Sequence, residues 1–240
     1  MQDKTLQGQT VVVVGGSSGL GLAAAQAAVQ AGAKVVIGGR QPERLQQALA
    51  LLGKSATGWP VDVLDAASIE QFFARLPQLD HLLVTAAVLS PGRLAESAMA
   101  DLQRNLDSRF WGSVHCLRAA LPRMAEQGSI TLTSGMVVQR PQPGKAMAAV
   151  AAAAVETLAH SLVRELAPRR INVISPGPMD TPLLAAALGD DAARLQALAA
   201  GLPLGRLGQA AEFAEAALFL MHNRSMNGEV LHLHGGAAWA

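Results

Sequence analysis

The sequence predicts an α/β fold in which seven parallel strands form one doubly wound sheet with helices on both faces. Three observations predict it. Short aliphatic or β-branched runs alternate with helix-periodic segments, a glycine-rich turn joins the first strand to the first helix, and 240 residues suit one core better than two. Half of the residues are apolar and 15% are charged, a globular composition with a generous core.

The strand runs fall at 10–14, 34–37, 56–61, 81–85, 129–133, 170–174 and 229–233. Helical patterns lie between them at 20–31, 42–52, 66–75, 99–126, 145–166 and 210–221. Pro42 suits the first turn of its helix, where its missing N–H is not needed. Right-handed crossovers are expected throughout. Two stretches break the alternation. Arg140-Pro141-Gln142-Pro143-Gly144 is a stiff turn before an alanine-rich helix, and 178–205 is a lid-like insertion in a single domain spanning 1–240. The insertion carries one helical pattern at 190–200, with Asp190-Asp191 as its cap.

Bulk properties exclude several classes. A formal net charge of +1 with scattered basic residues provides no field for nucleic acid or anionic lipid. One cysteine, Cys116, rules out an internal disulfide and a cysteine-based zinc site. His232 and His234 share a face of the last strand but lack a third ligand, so no metal is expected. The start Met1-Gln2-Asp3-Lys4 is polar, and the alanine-rich apolar tract at 146–155 is too short to span a bilayer. A cytoplasmic protein without membrane contact is expected.

The strongest motif is Val11–Val14 followed by Gly15-Gly16-Ser17-Ser18-Gly19-Leu20-Gly21. A buried strand ends, glycines allow a tight turn, and a helix begins. Bare backbone there lets a pyrophosphate approach the partly positive helix N-terminus, which marks a Rossmann-type dinucleotide site. Gly15, Gly19 and Gly21 are the spaced glycines, and Ser17, Ser18 and Leu20 lie on the same turn. Gly38-Gly39-Arg40 ends the second strand. A carboxylate there would bind a ribose 2′-hydroxyl, whereas Arg40 can hold a 2′-phosphate, so NADP(H) is the expected cofactor.

Together with several later motifs, this turn resembles the short-chain dehydrogenase/reductase family over essentially the whole chain. The later motifs are Asp62-Val63 after the third strand, Asn105 in Arg104-Asn105-Leu106, Asn172-Val173-Ile174-Ser175-Pro176-Gly177 with Thr181, and the Gly228…Gly235-Gly236 ending. The resemblance implies that Asp62 and Val63 contact the adenine. It also implies that Thr85, Ala86, Ala87, Pro176, Gly177, Met179 and Thr181 line the nicotinamide half. Asn105 matches the asparagine that anchors a water in the family's proton relay. A homodimer or homotetramer built on the alanine-rich helix is implied as well.

The family's catalytic set is a serine followed by Tyr-x-x-x-Lys. In this sequence those positions fall on Gly135, Ala148 and Ala152, and the chain contains no tyrosine. A shift by one residue brings Ser134 into the serine role, which makes Asn105 and Ser134 the remaining catalytic candidates. Lys145 lies about one helical turn before Ala148, on nearly the same face. Loss of a general acid removes roughly 10²–10⁴-fold of rate. Two readings follow: an oxidoreductase moving hydride between NADP(H) and a carbonyl or alcohol substrate by an atypical mechanism, or a non-catalytic NADP(H)-binding sensor or oligomer subunit. Non-redox chemistry is a third reading to which no residue points.

Overall fold

A computed structural model describes residues 5–240, so the polar start read above lies outside the described residues. Its centre is β1 (Thr10–Val14), whose four valines are fully buried because both faces of the strand are covered. The other strands are β2 (Lys34–Gly39), β3 (Ala56–Pro60), β4 (Leu79–Val84), β5 (Met124–Thr133), β6 (Arg170–Pro176) and β7 (Val230–Leu233). They form one parallel sheet in the order β3-β2-β1-β4-β5-β6-β7. The order reverses between β1 and β4, where Val14 lies opposite both Gly38 and Val84. That reversal opens a crevice at the carboxyl ends of the strands.

Helices α1 (Gly19–Gln30), α2 (Pro42–Leu52) and α9 (Ala210–His222) cover one face of the sheet. Ala24, Ala25 and Ala28 of α1 and Ala214 and Ala217 of α9 are buried there, and such small side chains let the helices approach closely. The other face is covered by α3 (Ala66–Ala74), α5 (Gly112–Ala120) and α6 (Ala146–Leu166), around a core of Ile69, Phe72, Phe73, Leu82, Ile130, Leu132 and Val173. Cys116 is buried in this core. Burial pushes its thiol up to about 12, so it stays protonated and inert.

Three elements depart from the sequence expectation. The helix expected at 99–126 is broken into α4 (Met99–Leu106), a wider π-type turn at Asp107–Trp111, and α5. A Cβ on Gly112 would lie 3.0 Å from Val63 O, so this crossing tolerates only glycine without a shift. Pro122 then sits in a short 3-10 turn, and β5 begins at Met124, earlier than expected. The insertion carries two helices, α7 (Pro182–Ala187) and α8 (Ala192–Ala200). The start of α7 was readable: Thr181 Oγ1 caps it and Pro182 occupies its first turn. Asp191, not Asp190, caps α8 through Ala193 N and Arg194 N.

The apolar character of α6 runs well beyond residue 155. By length and composition it could cross a bilayer, with a mean hydropathy of 1.6 in its most apolar window. Its Ala151, Ala152, Val155, Ala159 and Leu166 are instead buried, and Val155, Ala159 and Leu166 join the core beneath the sheet. Only 22% of that window is buried, so the opposite face of the helix remains open.

Candidate functional site

The glycine turn is built for close approach. Gly15 has φ +94°, and a Cβ there would lie 2.5 Å from Thr85 Oγ1 and 2.6 Å from Ala86 N. A Cβ on Gly21 would overlap Gly15 O. Thr85 fastens the turn from the next strand: its Oγ1 donates to Val14 O or Gly15 O, each 3.3 Å away. The Thr85 and Ala86 amides both donate to Val14 O. Ser18 precedes α1 in extended conformation, and no side chain caps the helix. Among the described residues no side chain caps the first-turn amides of α1, which leaves them available for an anion.

Of the other expected cofactor residues, Ser17 and Thr181 lie beside this turn and Arg40 follows the strand that ends next to it. A Cβ on Gly39 would lie 2.5 Å from Ser17 Oγ, so Ser17 rests over the end of β2, and the exposed Arg40 follows directly. Thr181 lies over Gly19, with its Cβ 3.6 Å from where a glycine side chain would begin. The start of the insertion thus closes on the phosphate turn. Asp62 holds its own loop, accepting from Leu64 N at 3.0 Å, while Val63 is buried in the core. Pro176 ends β6, and the Gly177 amide donates to Leu233 O. Ala86 and Ala87 continue from β4, half-buried. The Met179 side chain is spent in the core beneath α1 and α9, which leaves only its backbone for a ligand. Leu20 also packs partly into that core.

Across the crevice, Asn105 is buried and grips the loop after β4. Its Nδ2 donates to Ser90 O at 2.8 Å, and its Oδ1 accepts from Ser90 N at 3.2 Å. Ser134 is buried, and its Oγ donates to Glu156 Oε1 at 2.7 Å, so this hydroxyl is already committed to α6. Gly135 faces open space, since a Cβ there would meet only Pro176 O at 3.9 Å and Val137 Cγ1 at 4.0 Å. Ala148 is half-buried and Ala152 fully buried on α6. Lys145 is exposed and donates to Gln142 Oε1. His232 and His234 lie tilted against each other, with Trp239 edge-on to His234, and no cluster of three or more potential metal ligands exists among the described residues.

Two residues the sequence did not single out for function stand beside Ser134. Arg109 Nη1 donates to Thr133 O at 3.0 Å and to Ser134 O at 2.7 Å. Glu156 holds the Ser134 hydroxyl. The only sequence signals were their spacings, four residues beyond Asn105 and four beyond Ala152. Removing the hydroxyl leaves the Glu156 carboxylate without its donor. Ser134→Ala is therefore expected to lower unfolding stability by about 2 kcal/mol, as hydrogen bonds to charged groups do, read by urea denaturation.

Comparison with known proteins follows the geometry. The profile of the enoyl-(acyl carrier protein) reductase family matches residues 14–238. The short-chain dehydrogenase/reductase malC of Malbranchea aurantiaca is 32% identical, over 96% of this chain and 95% of that protein. The chain belongs to the short-chain dehydrogenase/reductase family. The 3-oxoacyl-[acyl-carrier-protein] reductase FabG of Salmonella typhimurium is also 32% identical, over 97% of this chain and 98% of that protein. Among solved structures, the MalC reductase/Diels–Alderase superposes with a TM-score of 0.91 at 29% identity, covering 100% of both chains. A short-chain dehydrogenase/reductase from Brucella melitensis gives 0.92 at 27% identity, again covering 100% of both chains.

Members of this family bind nicotinamide dinucleotides, and the crevice fits one. Uncapped α1 amides, a turn that excludes Cβ atoms and the serines beside it are what a diphosphate needs. The chain is thus a member of an oxidoreductase family whose homologues act on small molecules.

Proposed function

We propose that the protein is an NADP(H)-dependent oxidoreductase that interconverts a carbonyl and an alcohol without a tyrosine proton donor. The observation that carries this reading is the uncapped glycine turn facing a cleft whose opposite wall has open space at Gly135. Gly15, Ser17, Ser18, Gly19 and Gly21 would hold the diphosphate, and Arg40 the 2′-phosphate. Asp62 and Val63 would border the adenine. Thr85, Ala86, Ala87, Pro176, Gly177, Met179 and Thr181 would border the nicotinamide half, in part through backbone. When bound, the cofactor supplies or accepts the hydride. The chain's own residues would position the two reactants, and α7 and α8 of the 178–205 segment would cover the cleft.

At the serine, tyrosine and lysine positions of the family this chain has Gly135, Ala148 and Ala152, none of which titrates. With general acid catalysis worth roughly 10²–10⁴-fold, reduction of simple ketones and aldehydes by NADPH is expected to be slower than ordinary family rates by that order. Following NADPH absorbance over a carbonyl panel checks this. The small residues also favour a second reading, a non-catalytic NADP(H)-binding subunit, which strict absence of turnover together with tight NADPH binding would support. The open face of α6 is the proposed contact in a homodimer or homotetramer of a cytoplasmic protein.

Cofactor choice is tested at Arg40. A guanidinium beside a 2′-phosphate contributes a charge-assisted hydrogen bond, whereas a carboxylate repels that group. Arg40→Asp is expected to weaken NADPH binding by at least about tenfold and to leave NADH binding equal or tighter, as read by nucleotide fluorescence. Unchanged NADPH affinity would remove Arg40 from the site.

A further inference from the structure

The least explained group in the cleft is Arg109. It enters from the π-type turn, and its Nη1 binds the last carbonyls of β5, immediately before the open position at Gly135. Burial lowers its guanidinium to about 10, which leaves it a cation at neutral pH. A half-buried cation calls for a counter-charge, yet among the described residues no carboxylate lies within ion-pairing distance. The ion pairs among the described residues involve Arg93, Arg194 and Arg206 instead. Glu156, reached through Ser134, is tied to the Ser134 hydroxyl and not to the guanidinium. The Nε and Nη2 nitrogens make no hydrogen bond within the described residues, and neither is among the buried polar atoms left without a partner. They are therefore not sealed off. Two donors of a rigid planar fork remain for an acceptor that this chain does not supply.

We propose that Arg109 is the group that binds the substrate's oxygen, holding a carbonyl or carboxylate oxygen beside Gly135 through its Nε and Nη2 donors. This rests on the reductase reading above and gives it an electrostatic device in place of a tyrosine. Were a carbonyl held there to receive hydride from a bound reduced nicotinamide, its π pair would move onto oxygen, and Arg109, a cation fixed there beforehand, would stabilise that charge. The alkoxide would then take a proton from water, giving the alcohol and a hydroxide that bulk solvent neutralises, while loss of the hydride would leave the nicotinamide oxidised. A permanent cation suits this role because it needs no reorganisation when the charge develops.

Carboxylates carry the same charge stably, so sodium benzoate is the probe and neutral benzamide its control. Calorimetric titrations are run on the full chain with and without NADP⁺, alongside NADPH titrations and thermal melts of every variant. Benzoate is expected to bind at least tenfold more tightly than benzamide. Arg109→Met should lose at least tenfold of that affinity, while Arg109→Lys should keep part of it. If Arg109→Met does not fold, Arg109→Gln retains an NH₂ donor for the Thr133 and Ser134 carbonyls without the charge and should show the same loss. Equal binding of benzoate and benzamide, no benzoate binding by the wild type, or unchanged affinity in a folded charge-free variant would overturn the proposal. Absence of NADPH binding would instead sink the reductase reading, and the arm without NADP⁺ still reports on Arg109.

Discussion

Gly15→Ala is expected to weaken NADPH binding by at least about 100-fold. Two costs coincide at this position. Its φ of +94° lies where L side chains are strained by roughly 1–3 kcal/mol. In addition, the new Cβ would sit 2.5 Å from Thr85 Oγ1 and 2.6 Å from Ala86 N, one of them backbone. Relief requires Thr85 to move, and Thr85 is the clamp that sets the turn against β4. The displaced amides then no longer converge on a diphosphate, and a shift of about 2.7 kcal/mol already means a hundredfold. Gly8→Ala is the control, because Gly8 has φ +78° with nothing within 4 Å of its absent Cβ. It shares the strain without the collision and should leave NADPH affinity unchanged. Fluorescence titration of both variants separates the effects.

The second large effect concerns pH and lies far from the cleft. His81 on β4 is buried, with its Nδ1 2.7 Å from Ser129 Oγ and its Nε2 3.0 Å from Gln9 Oε1. Burial lowers its imidazole to about 4, with Arg170 and His222 adding to the effect and Asp80 opposing it. In the unfolded chain the ring takes its proton near 6.5. Between those values the unfolded state binds more protons, so stability is full above about pH 6.5 and declines as pH falls toward 4. The whole difference corresponds to about 3 kcal/mol, of which about 2 kcal/mol is lost by pH 5, above most carboxylate titrations. Thermal melts between pH 7.5 and 5 should show this decline. His81→Gln should start less stable at pH 7.5 and vary much less over that interval. A wild-type profile flat from pH 7.5 to 5 would contradict the assignment.

The sheet was legible because its signals are local. Four consecutive valines followed by glycines read as a central parallel strand, and β1 lies where they stand. Thr181 and Asp191 carried cap chemistry that marks the starts of both insertion helices, although only the second was expected. What escaped depended on distant partners. The wider turn between α4 and α5 ends at Gly112, which meets Val63 of another loop, a contact no helical periodicity encodes. Ser134 reads as an available catalytic-serine candidate, yet Glu156 of the following helix α6 holds its hydroxyl. Arg109 was hidden for the same reason, since its value lies in which donors the fold leaves unused. Gly15, Gly19 and Gly21 needed no such help, because tight turns are written in the residues that make them.

The account depends on backbone amides at the start of α1 receiving a diphosphate while Arg40 selects its phosphorylated form. Calorimetric titration of the wild-type protein with NADPH and then NADH tests it most directly. Micromolar or tighter NADPH binding, with NADH at least about tenfold weaker, is the expected result. No heat of binding from NADPH at millimolar concentration would contradict it.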